Sequence, residues 1–247
     1  GVVEVMLLGQ NVNSYGKGLD EPLNFAQLLE EVEKIEGLER IRFMTSHPKD
    51  LSDELIEVMA HSKKICKHLH LPVQSGSSRI LKLMNRKYTK EHYLELVEKI
   101  RSSVPDISLT TDIIVGFPGE TDEEFEQTRE FLEEINLYEM HIFKYSIRKG
   151  TRAADMKPQI NDQIKAKRSN VLLEMSKQHQ KEFETKQLGM VKEVLIEEKM
   201  HGKDHYYTGH TKEYIKVALY SEEPLENKIV KVKLRQILDD GYVLAEC

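Results

Sequence analysis

A chain of 247 residues is long enough for one α/β domain of barrel size together with a small second unit. It contains no run of 18 apolar residues and no signal-peptide pattern, so neither a membrane helix nor a secretory leader is expected. Two cysteines, Cys66 and Cys247, exclude a disulfide framework and a three-cysteine cluster, and a net charge of −6 gives no overall basic footprint for nucleic acid. This composition predicts a cytoplasmic protein.

The first 160 residues alternate apolar runs with segments whose apolar residues recur at helical spacing. Strands are predicted at 2–8, 41–44, 68–73, 107–115 and 140–145. Helices are predicted between them, at 25–35, after an Asp50 cap, at 78–84 and 89–102, and after a Thr121–Glu124 capping box. This order predicts parallel βαβ crossovers, in either a doubly wound sheet or part of a βα barrel.

In both architectures the chemistry belongs at the C-terminal ends of the strands. The short polar segments that follow the predicted strands, here called strand exits, lie at these ends. Each exit, taken alone, is also typical of a simple turn. Asp112 is more conspicuous, because a carboxylate inside an apolar strand is costly unless it is paired.

The pattern changes after residue 160. A long polar helix is predicted at 161–187, followed by short strands at 191–196, 206–208, 214–219, 229–234 and 242–245. Such closely spaced strands predict a small antiparallel β-barrel. The predicted organisation is therefore a core of residues 1–160, a linker helix at 161–185, and a barrel at 186–247.

Several segments together resemble the radical S-adenosylmethionine methylthiotransferases, most closely those that act on tRNA. The resemblance covers nearly the whole chain, and its segments are GQNVNSYG at 9–16, TSHP at 45–48, HLHLPVQSGS at 68–77, LMNR at 83–86 and LTTDIIVGFPGET at 109–121. Residues 186–247 resemble the TRAM domain, the small β-barrel that contacts RNA in this family.

The resemblance implies a partial (β/α)6 barrel whose first strand is missing, so that the predicted strands are numbers two to six. In the family, two [4Fe–4S] clusters are bound by cysteines of the C-x-x-x-C-x-x-C loop and of an N-terminal domain, and this sequence contains neither set. The chain is therefore expected to be the C-terminal part of a longer enzyme, inactive alone and without metal ligands of its own. A reductant protein would reduce the cluster that cleaves S-adenosylmethionine, and the resulting radical would start the transfer of a methylthio group.

The same resemblance assigns S-adenosylmethionine to the strand exits. Gly9, Gln10 and Asn11 are placed near its methionine part, and Gln74 and Ser75 near its ribose or carboxylate. The adenine neighbours are Val115, Gly116, Tyr145 and Ser146. Asp112 is expected to hold a cofactor hydroxyl, to orient the substrate, or to pair with a barrel lysine or arginine. Arg79 or Arg86 could supply a cation for the cofactor carboxylate, with a surface helix charge as the alternative.

The predicted RNA partner is the anticodon stem-loop of tRNA, bound by a monomer away from any membrane. Segment 186–247 has 10 Lys+Arg and 11 Asp+Glu, so RNA binding there needs a local face. Its candidate residues are Lys212, Tyr214, Lys216, Lys231, Lys233 and Arg235, and a solvated strand face is the alternative.

The substrate stays open at this point. Segment 9–16 favours isopentenylated adenosine, whereas 143–151 and 209–214 look more like the enzymes that act on threonylcarbamoyl adenosine. A ribosomal-protein aspartate fits less well. A non-catalytic RNA-binding module is the alternative from a different class.

Overall fold

A computed structural model describes residues 1–18, 20, 23–44 and 46–247 of the chain. Thr45, the first residue of the 45–48 segment, lies outside the described residues. The strands are β1 Glu4–Leu7, β2 Arg40–Phe43, β3 His68–His70, β4 Ser108–Val115, β5 Glu139–Lys144, β6 Val191–Lys199, β7 Tyr206–Thr211, β8 Lys216–Tyr220, β9 Ile229–Ile237 and β10 Val243–Glu246. The helices are α1 Phe25–Glu33, α2 Asp53–His61, α3 Ser78–Leu83, α4 Lys90–Ser103, α5 Asp122–Ile135, α6 Arg152–Asp155 and α7 Asp162–Gln187.

Strands β1 to β5 are all parallel, which confirms the predicted crossovers. They form a two-stranded sheet, β1–β2, and a three-stranded sheet, β3–β4–β5. A parallel bridge between Ile41 and Ile65 joins the two sheets. β3 ends at His70 because Pro72 has no N–H to donate to a ladder, although the Leu71 amide still donates to the Thr110 carbonyl of β4. These five strands form the predicted partial barrel.

The helix starts follow local capping chemistry, with one departure from the prediction. Thr121 and Glu124 form the predicted capping box at the start of α5. The Asp50 cap predicted for α2 is wrong, because the Ser52 side chain accepts the Leu55 N–H there instead. Asp50 ends a short 3-10 helix, which leaves its carboxylate available to another loop.

Helix α7 is a layer of the large unit rather than a free linker. Leu172 and Met175 are buried in the same core as the helices and strands before it. The Ser176 hydroxyl accepts a hydrogen bond of 2.9 Å from the Met140 amide of β5. The sparse apolar stripe of this helix therefore covers the β5 side of the sheet. Within the described ranges, no helix is long and apolar enough to cross a bilayer.

The second unit is a closed barrel with the strand order β10–β8–β7–β6–β9. The predicted strands are all present, but the barrel is not wholly antiparallel as expected, because β8 and β10 pair in parallel and close it. Its interior holds Val194, Val217 and Leu234. Gly209 has no side chain because a Cβ there would lie 1.9 Å from the Leu195 carbonyl oxygen.

The turn between β7 and β8 closes the N-terminal end of the large unit's strands. Arg40, the first residue of β2, donates to the carbonyls of His210 at 2.8 Å and Glu193 at 2.7 Å. Tyr214 of the turn stacks against the ring of His68, the first residue of β3, with centroids 4.7 Å apart. The two units are thus joined by buried polar contacts at the end of the strands opposite the predicted site.

Candidate functional site

A cavity of about 810 Å³ opens where β3, β4 and β5 end. Four predicted cofactor residues line it: Gln74, Asp112, Tyr145 and Ser146. The rest of the lining combines apolar side chains with four cations, and includes Ile114, Phe117, Phe143, Met156, Arg86, Lys144, Arg148 and Arg152. Its volume and mixed lining are typical of small-molecule sites, which measure roughly 300–1,000 Å³.

Gln74 is held at the cavity by its backbone. Its φ of 74° lies in the left-handed region, which a non-glycine residue adopts only where its surroundings enforce it. Here the Gln74 amide donates to the Asp112 carbonyl at 2.9 Å, and the Gln74 carbonyl accepts from Ile114 at 3.0 Å. These two bonds fix the Gln74 backbone beside β4, and its side chain starts from that fixed point.

Asp112 pairs with two histidines, not with the lysine or arginine that the sequence suggested as one alternative. Its Oδ1 atom lies 3.2 Å from Nδ1 of His141 and 3.5 Å from Nε2 of His70. Hydrogen bonds from these histidines hold the pKa of Asp112 well below its usual range, despite partial burial. The hydrogen bonds to Asp112 and Glu139 raise the pKa of His141 to about 10.

Two buried polar atoms at the cavity have no hydrogen-bond partner within the described residues: the Tyr145 hydroxyl and Nε of Arg86. The Tyr145 ring is fixed edge-on to Phe117, with centroids 5.3 Å apart. Arg79, the other candidate cation, is already engaged with Glu124 at 2.6 Å. Of these two arginines, Arg86 lines the cavity and Arg79 does not.

Gly116 and Val115 lie behind the cavity and do not line it. The Val115 side chain belongs to the core, and its carbonyl accepts from the Tyr145 amide at 2.9 Å. The Gly116 amide donates to Glu120 at 2.7 Å, and a Cβ on Gly116 would lie 2.4 Å from Cγ of Lys165. These two residues fix the backbone between β4 and α5.

Ser75 also faces inward. Its hydroxyl accepts from the Ser77 amide at 3.1 Å and lies 3.4 Å from the Thr128 hydroxyl. Both contacts tie the β3 exit to helices α3 and α5. The structure thus gives Ser75 a positioning role beside Gln74.

Gly9, Gln10 and Asn11 lie at the exit of β1, outside the lining of the cavity. Gly9 and Gln10 are exposed. The Asn11 side-chain amide donates to Asp50 at 2.7 Å and to Ser14 at 2.6 Å. Asp50 therefore anchors the turn that carries these three predicted residues.

Replacing Asp50 by asparagine should flatten the acid limb of the stability profile. Hydrogen bonds from Lys17, Asn11 and Ser14 outweigh the partial burial of Asp50 and lower its pKa below the ordinary value of 3.8. A carboxylate with a depressed folded-state pKa stabilises the fold above pH 4, and this contribution disappears as the pH falls further. Urea unfolding of both proteins from pH 7 to pH 2.5 tests this, and parallel curves would contradict it.

The cavity mouth carries a basic group, of which sequence reasoning singled out Arg86 but not the other three members. The cationic rim consists of Arg86, Lys144, Arg148 and Arg152, and none of the four forms an ion pair with a described residue. Exposed Phe143 stands beside it, on the same strand as Lys144. Arg148 and Arg152 follow β5 in sequence, and the register of β5 with β4 pairs Lys144 with Val115, three residues beyond Asp112.

The predicted RNA residues of the small barrel divide into two groups. Lys216, Lys231, Lys233 and Arg235 are exposed, and the last three alternate with buried residues on one face of β9. Tyr214 and Lys212 instead face the large unit. Tyr214 stacks between His68 and His210, and Nζ of Lys212 donates to the Lys63 carbonyl at 2.8 Å.

Comparisons with known proteins agree with this geometry. The family described as "Radical SAM superfamily" matches residues 1–132. A protein from Lachnoclostridium phytofermentans, named tRNA-2-methylthio-N(6)-dimethylallyladenosine synthase, is 52% identical over 96% of this chain and 52% of its own length. Proteins with the same name from Acetivibrio thermocellus and Alkaliphilus oremlandii are 51% and 49% identical, over 96% and 100% of this chain and 49% and 53% of their own lengths.

The chain spans about half the length of these relatives. Among solved structures, coproporphyrinogen III oxidase from Escherichia coli, a radical SAM enzyme, superimposes with a TM-score of 0.51 at 20% identity. That match covers 64% of this chain and 38% of the oxidase. At this identity the likeness concerns the fold alone.

Proposed function

Because the chain belongs to the radical SAM superfamily, we propose that it forms the cofactor- and RNA-binding part of a tRNA methylthiotransferase. The observation that supports this most directly is the strand-exit cavity, in which Gln74, Asp112 and Tyr145 meet a basic mouth. The proposed substrate is adenosine that carries a dimethylallyl group at N6, next to the anticodon.

The cavity residues fit S-adenosylmethionine. The unpartnered Tyr145 hydroxyl and Arg86 Nε are suited to the hydroxyl and carboxylate groups of such a ligand, and Phe117 offers an apolar surface to its adenine. Gln74 would donate or accept at the ribose, and Oδ2 of Asp112 is turned away from the histidine contacts that Oδ1 makes. Bound beside a reduced [4Fe–4S] cluster, S-adenosylmethionine supplies the carbon radical that removes hydrogen from the substrate.

The protein's own contribution is positioning. A cofactor held loosely wastes a reactive species, so the site must fix the ligand within a fraction of an ångström. Gln74 and Tyr145 lie on strand ends whose backbones are hydrogen-bonded to β4, which is the rigid support that such a site needs. The clusters, the reductant protein and the cytoplasmic setting belong to the whole enzyme, proposed to act as a monomer.

RNA is proposed to approach across the cationic rim, since its four cations, none of them ion-paired with a described residue, line the cavity that the base must enter. Phe143 is placed to stack on a neighbouring base. The exposed stripe of Lys231, Lys233 and Arg235 would hold a second part of the anticodon stem-loop.

Binding of S-adenosylmethionine tests the cofactor site. The 247-residue chain should bind it in a 1:1 ratio by calorimetry, and Gln74→Ala or Tyr145→Phe should each weaken binding. A lost hydrogen bond costs roughly 1–3 kcal/mol, or about 5- to 150-fold in affinity. Tyr220→Phe is the matched control, because Tyr220 is exposed on β8 of the small barrel. Equal affinities for all four proteins would contradict the assignment.

Salt-dependent RNA binding tests the approach across the rim. An anticodon stem-loop containing N6-dimethylallyladenosine should bind Arg148→Ala and Lys144→Ala more weakly than the unaltered chain. The slope of log K against log salt should fall by about 1 for each phosphate contact removed. Lys99→Ala, on the outer face of α4, is the control. An unchanged slope in both rim variants would exclude this surface.

The alternative substrates can be separated by the same titration. The names of the relatives favour the dimethylallyl group. A stem-loop that carries threonylcarbamoyl adenosine should bind less tightly than the stem-loop with N6-dimethylallyladenosine. A peptide with the ribosomal aspartate should also bind less tightly than that stem-loop. Strong RNA binding together with no binding of S-adenosylmethionine would instead favour the non-catalytic RNA module.

A further inference from the structure

Strands β3, β4 and β5 bring three metal-ligating side chains together, and one of them, Asp112, lines the cavity. We propose that His70, Asp112 and His141 bind one divalent transition-metal ion of the zinc type. One ligand atom from each residue lies within 4.8 Å of the other two. The atoms nearest to Oδ1 of Asp112 are Nε2 of His70 and Nδ1 of His141, which we take as the ligands.

The spacing of these atoms matches a tetrahedral ion. Zinc ligands at roughly 2.0–2.1 Å from the metal are about 3.3–3.4 Å from each other along a tetrahedral edge. Oδ1 of Asp112 lies 3.2 Å from His141 and 3.5 Å from His70, on either side of that value. The same groups are hydrogen-bonded to one another without an ion, so an ion would have to displace the proton that His141 shares with Asp112.

The second ring nitrogen of each histidine also has a partner, as expected for a metal-bound histidine. The other ring nitrogen of His70, Nδ1, lies 2.9 Å from the Thr110 hydroxyl. The other ring nitrogen of His141, Nε2, lies 3.6 Å from a carboxylate oxygen of Glu139. Metal-bound histidines almost always have such an outer partner, which fixes the ring so that its free nitrogen faces the ion.

The proposed site is open on one side. His70 is buried, whereas the side chains of Asp112 and His141 are 28% and 43% exposed, and Asp112 also lines the cavity. Three protein ligands with the fourth position facing a cavity are typical of zinc ions that bind a water or a ligand atom. Two imidazoles and one carboxylate favour Zn²⁺, Co²⁺ or Fe²⁺ over Mg²⁺ and Ca²⁺, which prefer oxygen ligands.

Metal titration of the 247-residue chain tests the proposal without any assay of the whole enzyme. The chain is stripped with a chelator and titrated with Co²⁺, and Zn²⁺ is then added as a competitor. The expected result is one ion per chain, with the strong visible absorption of tetrahedral Co²⁺ and its loss when Zn²⁺ displaces the ion. Thr110→Val, which removes the outer partner of His70 together with a 3.3 Å contact to His68, should weaken binding by about 10- to 100-fold.

His141→Ala should abolish the tetrahedral spectrum. His92→Ala is the matched control, because His92 is exposed on α4 and should leave both stoichiometry and spectrum unchanged. Circular dichroism of each variant separates lost binding from lost folding, and the exposed position of His141 makes a folded variant the expected case. If the chain bound no Co²⁺, or if His141→Ala kept the same 1:1 spectrum, the three residues would form only an ion pair. Failure of the cofactor or RNA titrations above would not alter this result.

Discussion

Replacing Glu120 by alanine is expected to lower the free energy of unfolding by about 3–5 kcal/mol. Glu120 is 4% exposed and pairs with Arg168 of α7, which is equally buried. Burial raises the pKa of Glu120, while the Arg168 guanidinium and the Gly116 amide act to hold it ionised. Its removal leaves the buried cation with the exposed Asp122 carboxylate, 2.7 Å away, and the backbone carbonyl of residue 120 at 3.3 Å. It also deprives the Gly116 amide of its Glu120 acceptor.

Urea unfolding at pH 7 measures this loss as a shift in the midpoint. Glu120→Gln should lose less stability than Glu120→Ala, because the side-chain carbonyl of glutamine can still accept the Gly116 N–H. Glu134→Ala, on the exposed face of the neighbouring helix α5, is the control and should change stability by less than about 0.5 kcal/mol. A loss for Glu120→Ala no larger than for Glu134→Ala would show that the buried pair contributes nothing to holding α7 on the sheet.

The parallel order and the polar exits were predictable because each depends on a local pattern. Apolar runs of strand length, each followed by an amphipathic helix, admit few other arrangements. The first residues of the helices were harder to predict from sequence. Asp50 and Ser52 are both good N-cap residues, and only the backbone conformation decides which of them caps α2. The polar helix α7 was assigned as a linker because its buried contacts are largely polar, including Arg168 and Ser176.

Contacts between distant segments were the part that sequence could not supply. Alternation along β7 and β8 indicates which residues face out of the small barrel, but not which outer face the large unit covers. Lys212 and Tyr214 were therefore expected on an RNA surface, although they lie against Lys63 and His68. Asp112 was conspicuous from the sequence, whereas its partner His141 became evident only from the register of β4 with β5.

Arg40→Ala should uncouple the two units and cost about 2–6 kcal/mol. Arg40 is fully buried, and burial lowers its pKa. Its guanidinium donates across the interface to the carbonyls of His210 and Glu193, and both would be left without this donor. Each buried group that loses its partner costs roughly 1–3 kcal/mol, and the emptied volume adds to the loss.

The shape of the unfolding curve distinguishes uncoupling from general destabilisation. The unaltered chain should unfold in one transition, because the β7–β8 turn is buried against β2 and β3. In Arg40→Ala, tyrosine fluorescence and circular dichroism should give separate unfolding midpoints. Proteolysis between the two units should begin at a lower urea concentration than in the unaltered chain. Arg129→Ala removes an arginine whose partners among the described residues are Glu126 and Glu133 on the surface of α5, and it should keep a single transition. A single unshifted transition in Arg40→Ala would contradict the coupling role of Arg40. It would show that the other contacts between the units, such as the 2.6 Å bond from Arg42 to the Thr211 carbonyl and the Lys212 bond to Lys63, suffice.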